Sequence, residues 1–433
     1  MSAGLDLTAA QQALVIALCA LTALVAHLAL AVFNDGVRPF LLDFVQGRSG
    51  RSATGAVAFG LSAGFVFGLG APLALSSGVL NPWLLFLPTD VLGLLAPRRW
   101  LAPLLGGAWG AVVVFGLGGA DQLARGLPVD FLTAMRQMST PILFLFTLFP
   151  VLAVTRQFGR ARGALTAVLE LALTVLTLRF WPGVFAGSLA MAAGLLLLIG
   201  FAVREDLRGR AEGQPAQDGD DALASLFGAG ALRLRRHLPL FMALGAGVCV
   251  LAQSHVFGGG EATSFLIGEG RYAEAAQVDF YRVLGFVPLI ATTALASGAY
   301  GIAGFTLVCP LGYLLPDPLS AAAVGAGVFA LEVLALSSLG RVLGGLPSVR
   351  NSSEQLRGAI GETLGLAILF GSLLAAHVMG GGFAIMVVGG LYLLNEAMGR
   401  PVVRMAAAPV AVVAGGVLLN VLYWLGLFTP AEG

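Results

Sequence analysis

Residues 279–316 read DFYRVLGFVPLIATTALASGAYGIAGFTLVCPLGYLLP. The stretch is apolar enough for a bilayer, yet Pro288, Thr292, Thr293, Ser297, Gly298, Gly301 and Gly304 interrupt its middle, where an ordinary spanning helix would carry Leu, Val and Ala. An unwound segment is expected. In hydrocarbon, backbone groups freed by a break must be satisfied by protein, ligand or a water-filled cavity, so such breaks line binding sites or pathways. The rest of the chain reads as a membrane scaffold around this element.

Composition supports that frame. Hydrophobic residues make up 58% of the 433 positions, charged residues only 11%, and mean hydropathy is +0.91. No water-soluble fold could hide that much apolar surface. The 24 basic residues are all arginine, which rules out Schiff-base chemistry. A net charge of +1 with no basic face argues against nucleic acid. Cys19, Cys249 and Cys309 lie singly in apolar runs, without metal-ligand spacing. The N-terminus lacks the basic region of a cleaved signal, so the first apolar run is expected to be retained.

Outward from the opening stretch, apolar runs alternate with arginine-bearing turns. Gln12 to Phe33, Ala53 to Leu75, Leu101 to Leu117, Thr140 to Val154, Ala164 to Phe180 and Val184 to Val203 precede the one long polar loop, residues 204–236. After it come His237 to Phe257, Leu319 to Gly340, Gly358 to Met379, Gly382 to Met398 and Val402 to Phe428, with the polar segment Gly258 to Asp279 between. The expectation is an all-α polytopic membrane protein of roughly 12 to 14 membrane segments, some broken or re-entrant. It has two halves, residues 1–203 and 237–433, joined by a cytoplasmic linker, residues 204–236. Placing Arg38, Arg48 and Arg51 inside also places Arg98, Arg99, Arg156, Arg160, Arg162, Arg341, Arg350, Arg357, Arg400 and Arg404 inside, and puts both termini in the periplasm.

Two motif pairs hint at a repeat. Residues 33–39 and 394–401 both run Asn, acid, then Arg-Pro, and Phe86-Leu87-Pro88 matches Phe286-Val287-Pro288. Under the arginine orientation both members of each pair run the same way, which does not suggest inversion.

Polar side chains in apolar surroundings are candidate functional groups. Asp90 follows Pro88 and Thr89 in a segment expected to break there; the alternative is a helix-terminal cap. Glu332 and Glu170 could carry a coupling ion or pair with a buried arginine such as Arg179. Asn395, Glu396 and Arg400, like Asn34, Asp35 and Arg38, read either as gate or substrate contacts or as interfacial groups that snorkel. Arg350, with the helix amides after it, could contact an anion, against the alternative of a positive-inside loop. His27 and His377 read as histidines bonded to neighbouring helices.

No Walker lysine, HExxH or GxSxG motif is present, and no cofactor or metal is called for. The expected function is that of a secondary transporter rather than an enzyme. Thr89, Asp90, Thr292, Thr293, Ser297 and Asn395 would bind a small polar solute, neutral or anionic. Asp90, Glu332 or Glu396 would take the coupling H⁺ or Na⁺, and Asn34, Asp35, Arg38, Arg350 and Arg400 would serve as gate or interface. A membrane-embedded enzyme pairing Glu332 with His377, or a channel or scaffold, are the other classes; the partners are the bilayer and a small solute, with homo-oligomerisation open.

The motifs FNDGVRPF, GAVAFGLSAGFV, NPWLLFLPTDVLG, RVLGFVPLIATTALASGAYGIAGFT, PSVRNSSEQLR, LNEAMGRPV and LLNVLYWLGLF, spread over nearly the whole chain, resemble the YhfT family of bacterial inner-membrane proteins. The resemblance implies a multi-span protein of the bacterial inner membrane with a transport role. It supplies no catalytic residue to carry over.

Overall fold

The computed structural model describes residues 7–34, 37–45, 47–182, 184–212, 220–280, 283, 294, 299–301, 307–344 and 346–430. Helices dominate because a chain this apolar can satisfy its backbone in lipid only within itself. They are α1 (Ala9–His27), α2 (Arg38–Val45), α3 (Arg51–Ser77), α4 (Pro82–Leu95), α5 (Leu101–Arg125), α6 (Phe131–Phe158), α7 (Arg160–Phe180) and α8 (Ala186–Ala211). There follow α9 (Asp220–Arg235), α10 (Leu238–Gln253), α11 (Glu261–Gly268), α12 (272–280), α13 (Val308–Gly312), α14 (Pro318–Gly344), α15 (Pro347–Ala397) and α16 (Arg404–Trp424). Among the described residues, eight helical stretches are long and apolar enough to cross a bilayer. One of them, α15, bends at Gly380 and Gly381 into two arms, and α9 meets α10 at 71°.

Two short extended pieces interrupt the helices. β1 (Ala31–Val32) pairs in parallel with β2 (Tyr300–Gly301), and Leu80 forms a parallel bridge with Phe257. In each pair a helix has ended and the freed backbone finds its partner across the protein, as hydrocarbon requires.

These breaks reveal an internal repeat. Beyond α1, Leu28 N bonds Leu24 O and Ala29 turns left-handed at φ 51°; beyond α10, Ser254 N bonds Val250 O and His255 turns at φ 58°. One residue on, Tyr300 N donates to Leu30 O at 2.7 Å, and Leu80 N donates to Val256 O at 2.8 Å. The packing repeats as well. A Cβ on Gly106 would meet Cys19 O and Ala23 Cβ at 2.2 and 2.5 Å; one on Gly325 would meet Gly245 O and Cys249 Cβ at 2.3 and 2.5 Å. Gly93 presses on Ala23 O and Ala26 Cβ in the way that Gly312 presses on Cys249 O and Ala252 Cβ. One fixed spacing relates every α1 residue here to its α10 mate. Thus α1, α4 and α5 match α10, α13 and α14, and α6, α7 and α8 are followed in the same order by the two arms of α15 and α16.

The copies run in opposite directions. Leu18, midway along α1, packs on Gly247, midway along α10, while Arg233, just before α10, donates to Leu28 O, just past α1, at 3.0 Å. The repeat therefore has a different register from the one the motifs suggest. Residues 33–39 correspond to the stretch after His255, and residues 394–401 close the turn between α15 and α16.

The apolar interior divides in two. One core gathers α1, α4, α10 and α14 around Leu18, Phe86, Phe241, Phe257, Tyr300 and Phe329. The other gathers α6, α8, α15 and α16 around Met135, Phe149, Leu195, Leu356, Ile368 and Val412.

Candidate functional site

The sequence places a break at Pro88, Thr89 and Asp90; the structure puts one helix there. Pro88 lacks the N–H that would bond Leu84 O, and Trp109 Nε1 donates to that carbonyl instead at 2.9 Å, so α4 runs on. The real break lies earlier, at residues 78–81. Gly78 turns left-handed at φ 72°, Leu80 pairs with the chain around Phe257, and Asn81 caps α4 by accepting from Leu84 N at 3.0 Å. Asn81 Nδ2 also reaches Gly70 O at 2.8 Å, at the end of the π-turn over Val66–Gly70.

Each break is braced by a polar side chain from a facing helix. Asp90 is fully buried on α4, and its Oδ2 accepts from the backbone amides of Phe33 and Asn34 at 2.8 and 3.0 Å. In the other half the equivalent amide, Gly259 N, donates to the Tyr313 hydroxyl oxygen at 2.7 Å, and that hydroxyl donates to Asp279 Oδ2 at 2.8 Å. At β2 the fully buried Tyr300 lies between Phe241 and Phe329 and gives its hydroxyl proton to Glu332. Thr89 turns away to α1, accepting from Thr22 at 2.8 Å and donating to Phe86 O at 2.9 Å.

Beside these braces lies a cavity of about 330 Å³. Phe33, Asn34, Trp83, Leu87 and Val278 line it together with Glu261 and Ala262 and with Ile142, Phe146, Ile360, Leu364 and Met405. Val278 belongs to the first apolar core, and Ile142, Phe146, Ile360 and Leu364 to the second. The cavity thus sits in the seam between the two cores. Asn34 is fixed there by Nδ2 bonds to Leu61 O and Ser62 Oγ at 3.3 and 3.1 Å.

Of the described residues singled out from sequence, Asn34 alone lines this cavity; Asp90 stands behind it, and Glu332 braces β2. Thr292, Thr293, Ser297 and Asp35 lie outside the described residues. Asn395 is spent on the α15–α16 turn, exchanging two bonds with Val402 at 2.9 and 3.0 Å. Glu396 pairs with Arg400 at 2.9 Å at the surface. Arg38, read as a gate contact or as a snorkelling interfacial group, is 1% exposed and opens α2 in the interior, which disfavours snorkelling. Arg350 lies in the first turn of α15, where Asp206 accepts from the preceding amides Ser348 N and Val349 N at 2.9 and 3.4 Å. Glu170 meets no described arginine; it is 2% exposed against Gly194 and Pro150, with neither carboxyl oxygen in a hydrogen bond among the described residues.

Sequence reasoning passed over Glu261, Asp279, Tyr300 and Tyr313. The first two sat in a segment read as a polar loop. The signal for Glu261 was the Gly258-Gly259-Gly260 run before an acid and an apolar turn, which marks a helix starting inside the protein.

A family model named YhfT and described as "Protein of unknown function" matches residues 11–428. The chain is 43% identical over 428 residues to the "Uncharacterized protein YhfT" of Escherichia coli (strain K12), covering 96% of this chain and 97% of that one. No solved structure matches.

Proposed function

The chain belongs to the YhfT family, and we propose that it is a membrane carrier that passes a small solute through the seam cavity by alternating access. One observation carries this reading: two oppositely directed copies of one helical unit place their chain breaks together beside a cavity between two cores. Inverted repeats with discontinuous helices at the solute site are the architecture by which carriers expose one site to either side in turn. Rocking one core against the other opens the seam at one end and closes it at the other, and the cavity needs no movement of its own floor. A coupling H⁺ or Na⁺ would act at the braces, on Asp90 or Glu332, because loosening a brace frees a break. The arginine distribution supports an orientation with residues 98–99 and 204–236 in the cytoplasm and both termini periplasmic.

The test is two-sided access. Cys19, Cys249 and Cys309 are buried, so Met405→Cys supplies the reactive thiol in the cavity wall. A membrane-impermeant maleimide should label it from either face of oriented vesicles, without ion conductance through the protein. Labelling from one face only, or a steady conductance, contradicts a carrier.

A further inference from the structure

We propose that Glu170 is a proton-binding site inside the second core, its carboxyl taking up and releasing a proton along a row of threonine hydroxyls on α7. The site is apart from the braces at Asp90 and Glu332. Its purpose in transport rests on the carrier reading above; its chemistry rests on how α7 packs. The outward face of α7 is apolar, with Val168, Leu171, Val175 and Leu178 exposed, as a lipid-facing surface is. Its buried residues are Gly163, Thr166, Glu170 and Thr177, each small or polar. Polar and ionisable groups turned to the interior of a membrane bundle mark proton and ion pathways.

Three helices meet at the carboxyl. A Cβ on Gly194 of α8 would lie 2.0 Å from Glu170 Oε1 and 2.6 Å from Pro150 Cβ of α6, so the bare glycine is what leaves the acid room. Neither neighbour supplies a donor there, since glycine has no side chain and proline no N–H. Both carboxyl oxygens are buried, with no hydrogen-bond partner among the described residues. The nearest charged side chains on these helices are Arg162 and Arg179 on α7, Arg156 on α6 and Arg204 on α8, all about one and a half turns or more along. Arg156 and Arg162 are moreover turned to Glu362 and Glu205. An ionised carboxylate here would be a bare charge in the interior, so this packing accommodates the protonated acid. Ionisation needs α7 to part from α8 and admit water, which ties proton exchange to movement in the second core.

Packing alone does not ask for a carboxyl. The corresponding helix contact in the other half, between the second arm of α15 and α16, sets Gly415 against Val388 and Val387, whose methyls an added Cβ would meet at 3.0 and 3.5 Å. Valines fill there the place that the acid fills here. Thr166, Thr174 and Thr177 continue the buried stripe on either side of Glu170. Their hydroxyls donate to the carbonyls of Arg162, Glu170 and Leu173 at 2.9, 2.8 and 2.7 Å, which leaves each oxygen able to accept.

The experiment is infrared difference spectroscopy of the full-length protein in lipid vesicles, titrated from acid to alkaline buffer. The parent should show in acid the C=O band of a protonated carboxyl that Glu170→Gln lacks. That band should vanish in alkaline buffer and return on reacidification. Glu170→Gln is neutral and of the same shape, so it should fold; Glu170→Asp should keep a titrating acid band at a displaced frequency, which secures the assignment if the glutamine variant misfolds. Heavy water should shift the band, and Thr166→Val combined with Thr177→Val should slow that shift at least threefold. The proposal is overturned if no acid band depends on residue 170, if the band survives every pH as a sealed packing acid would, or if the threonine variant exchanges at the parent's rate. None of these results bears on two-sided labelling of Met405→Cys, on which the carrier reading stands or falls separately.

Discussion

Asp90 offers the sharpest test of how the breaks are held. Its single Oδ2 takes both amides of the turn after β1, Phe33 N at 2.8 Å and Asn34 N at 3.0 Å, in a place with no solvent exposure. Asp90→Ala leaves two buried donors unserved at about 1–3 kcal/mol each, or about 2–6 kcal/mol together. Asp90→Asn keeps a carbonyl oxygen at the same place and should cost no more than about 2 kcal/mol, the difference between charged and neutral acceptors. The assay is unfolding of purified protein in mixed micelles by added SDS, followed by circular dichroism. Because Phe33 and Asn34 also form a cavity wall, Asp90→Ala should change the rate of Met405→Cys labelling, and Asp90→Asn should change it less. If the alanine variant unfolds within 0.5 kcal/mol of the parent, roughly the noise for an uninvolved site, or if asparagine harms as much as alanine, the bracing role is wrong.

Other outcomes follow from the packing of the helices. Gly106→Ala and Gly325→Ala should each destabilise by about 1–3 kcal/mol through overpacking, and by similar amounts because they meet equivalent atoms. Gly116→Ala and Gly327→Ala, on the same two helices with no atom near the added methyl, should instead gain up to about 1 kcal/mol of helix propensity; micellar unfolding midpoints for the four variants would contradict the repeat if they did not sort this way. Glu170→Met should stabilise by about 1–3 kcal/mol, since it removes a buried carboxyl with no hydrogen bond among the described residues; a loss of stability would reveal a partner for it. Trp109→Phe should cost about 1–3 kcal/mol by stranding Leu84 O, and amide exchange should rise in α4 rather than in α5.

The membrane class and the helical content were legible in the sequence because they depend on composition over long runs, where single residues hardly matter. The positions of the breaks were not. Pro88 looks like a helix breaker, and only the indole of Trp109, distant in sequence, repairs the carbonyl it frees. Ala29 and His255 turn left-handed without being glycine, at about 1–2 kcal/mol each, because the strand pairing after them holds them there. The repeat was hidden for a related reason. Its matched contacts join Ala23 with Cys249 and Cys19 with Gly245, so backbone geometry persists where residue identity does not, and of the matched contact residues Gly93/Gly312, Gly106/Gly325 and Ala26/Ala252 keep the same letter. Glu261 escaped notice because an acid near glycines reads as a loop until the helix behind it is seen to start inside the protein.

The two halves fasten the same backbone amide in unlike ways. One uses a carboxyl group directly; the other interposes the phenol of Tyr313 before Asp279. Identical halves would leave a rocking machine indifferent to which way it faces. With one fastening made by a carboxylate and the other by a phenol, the two halves hold their matched amides with acceptors of unequal strength.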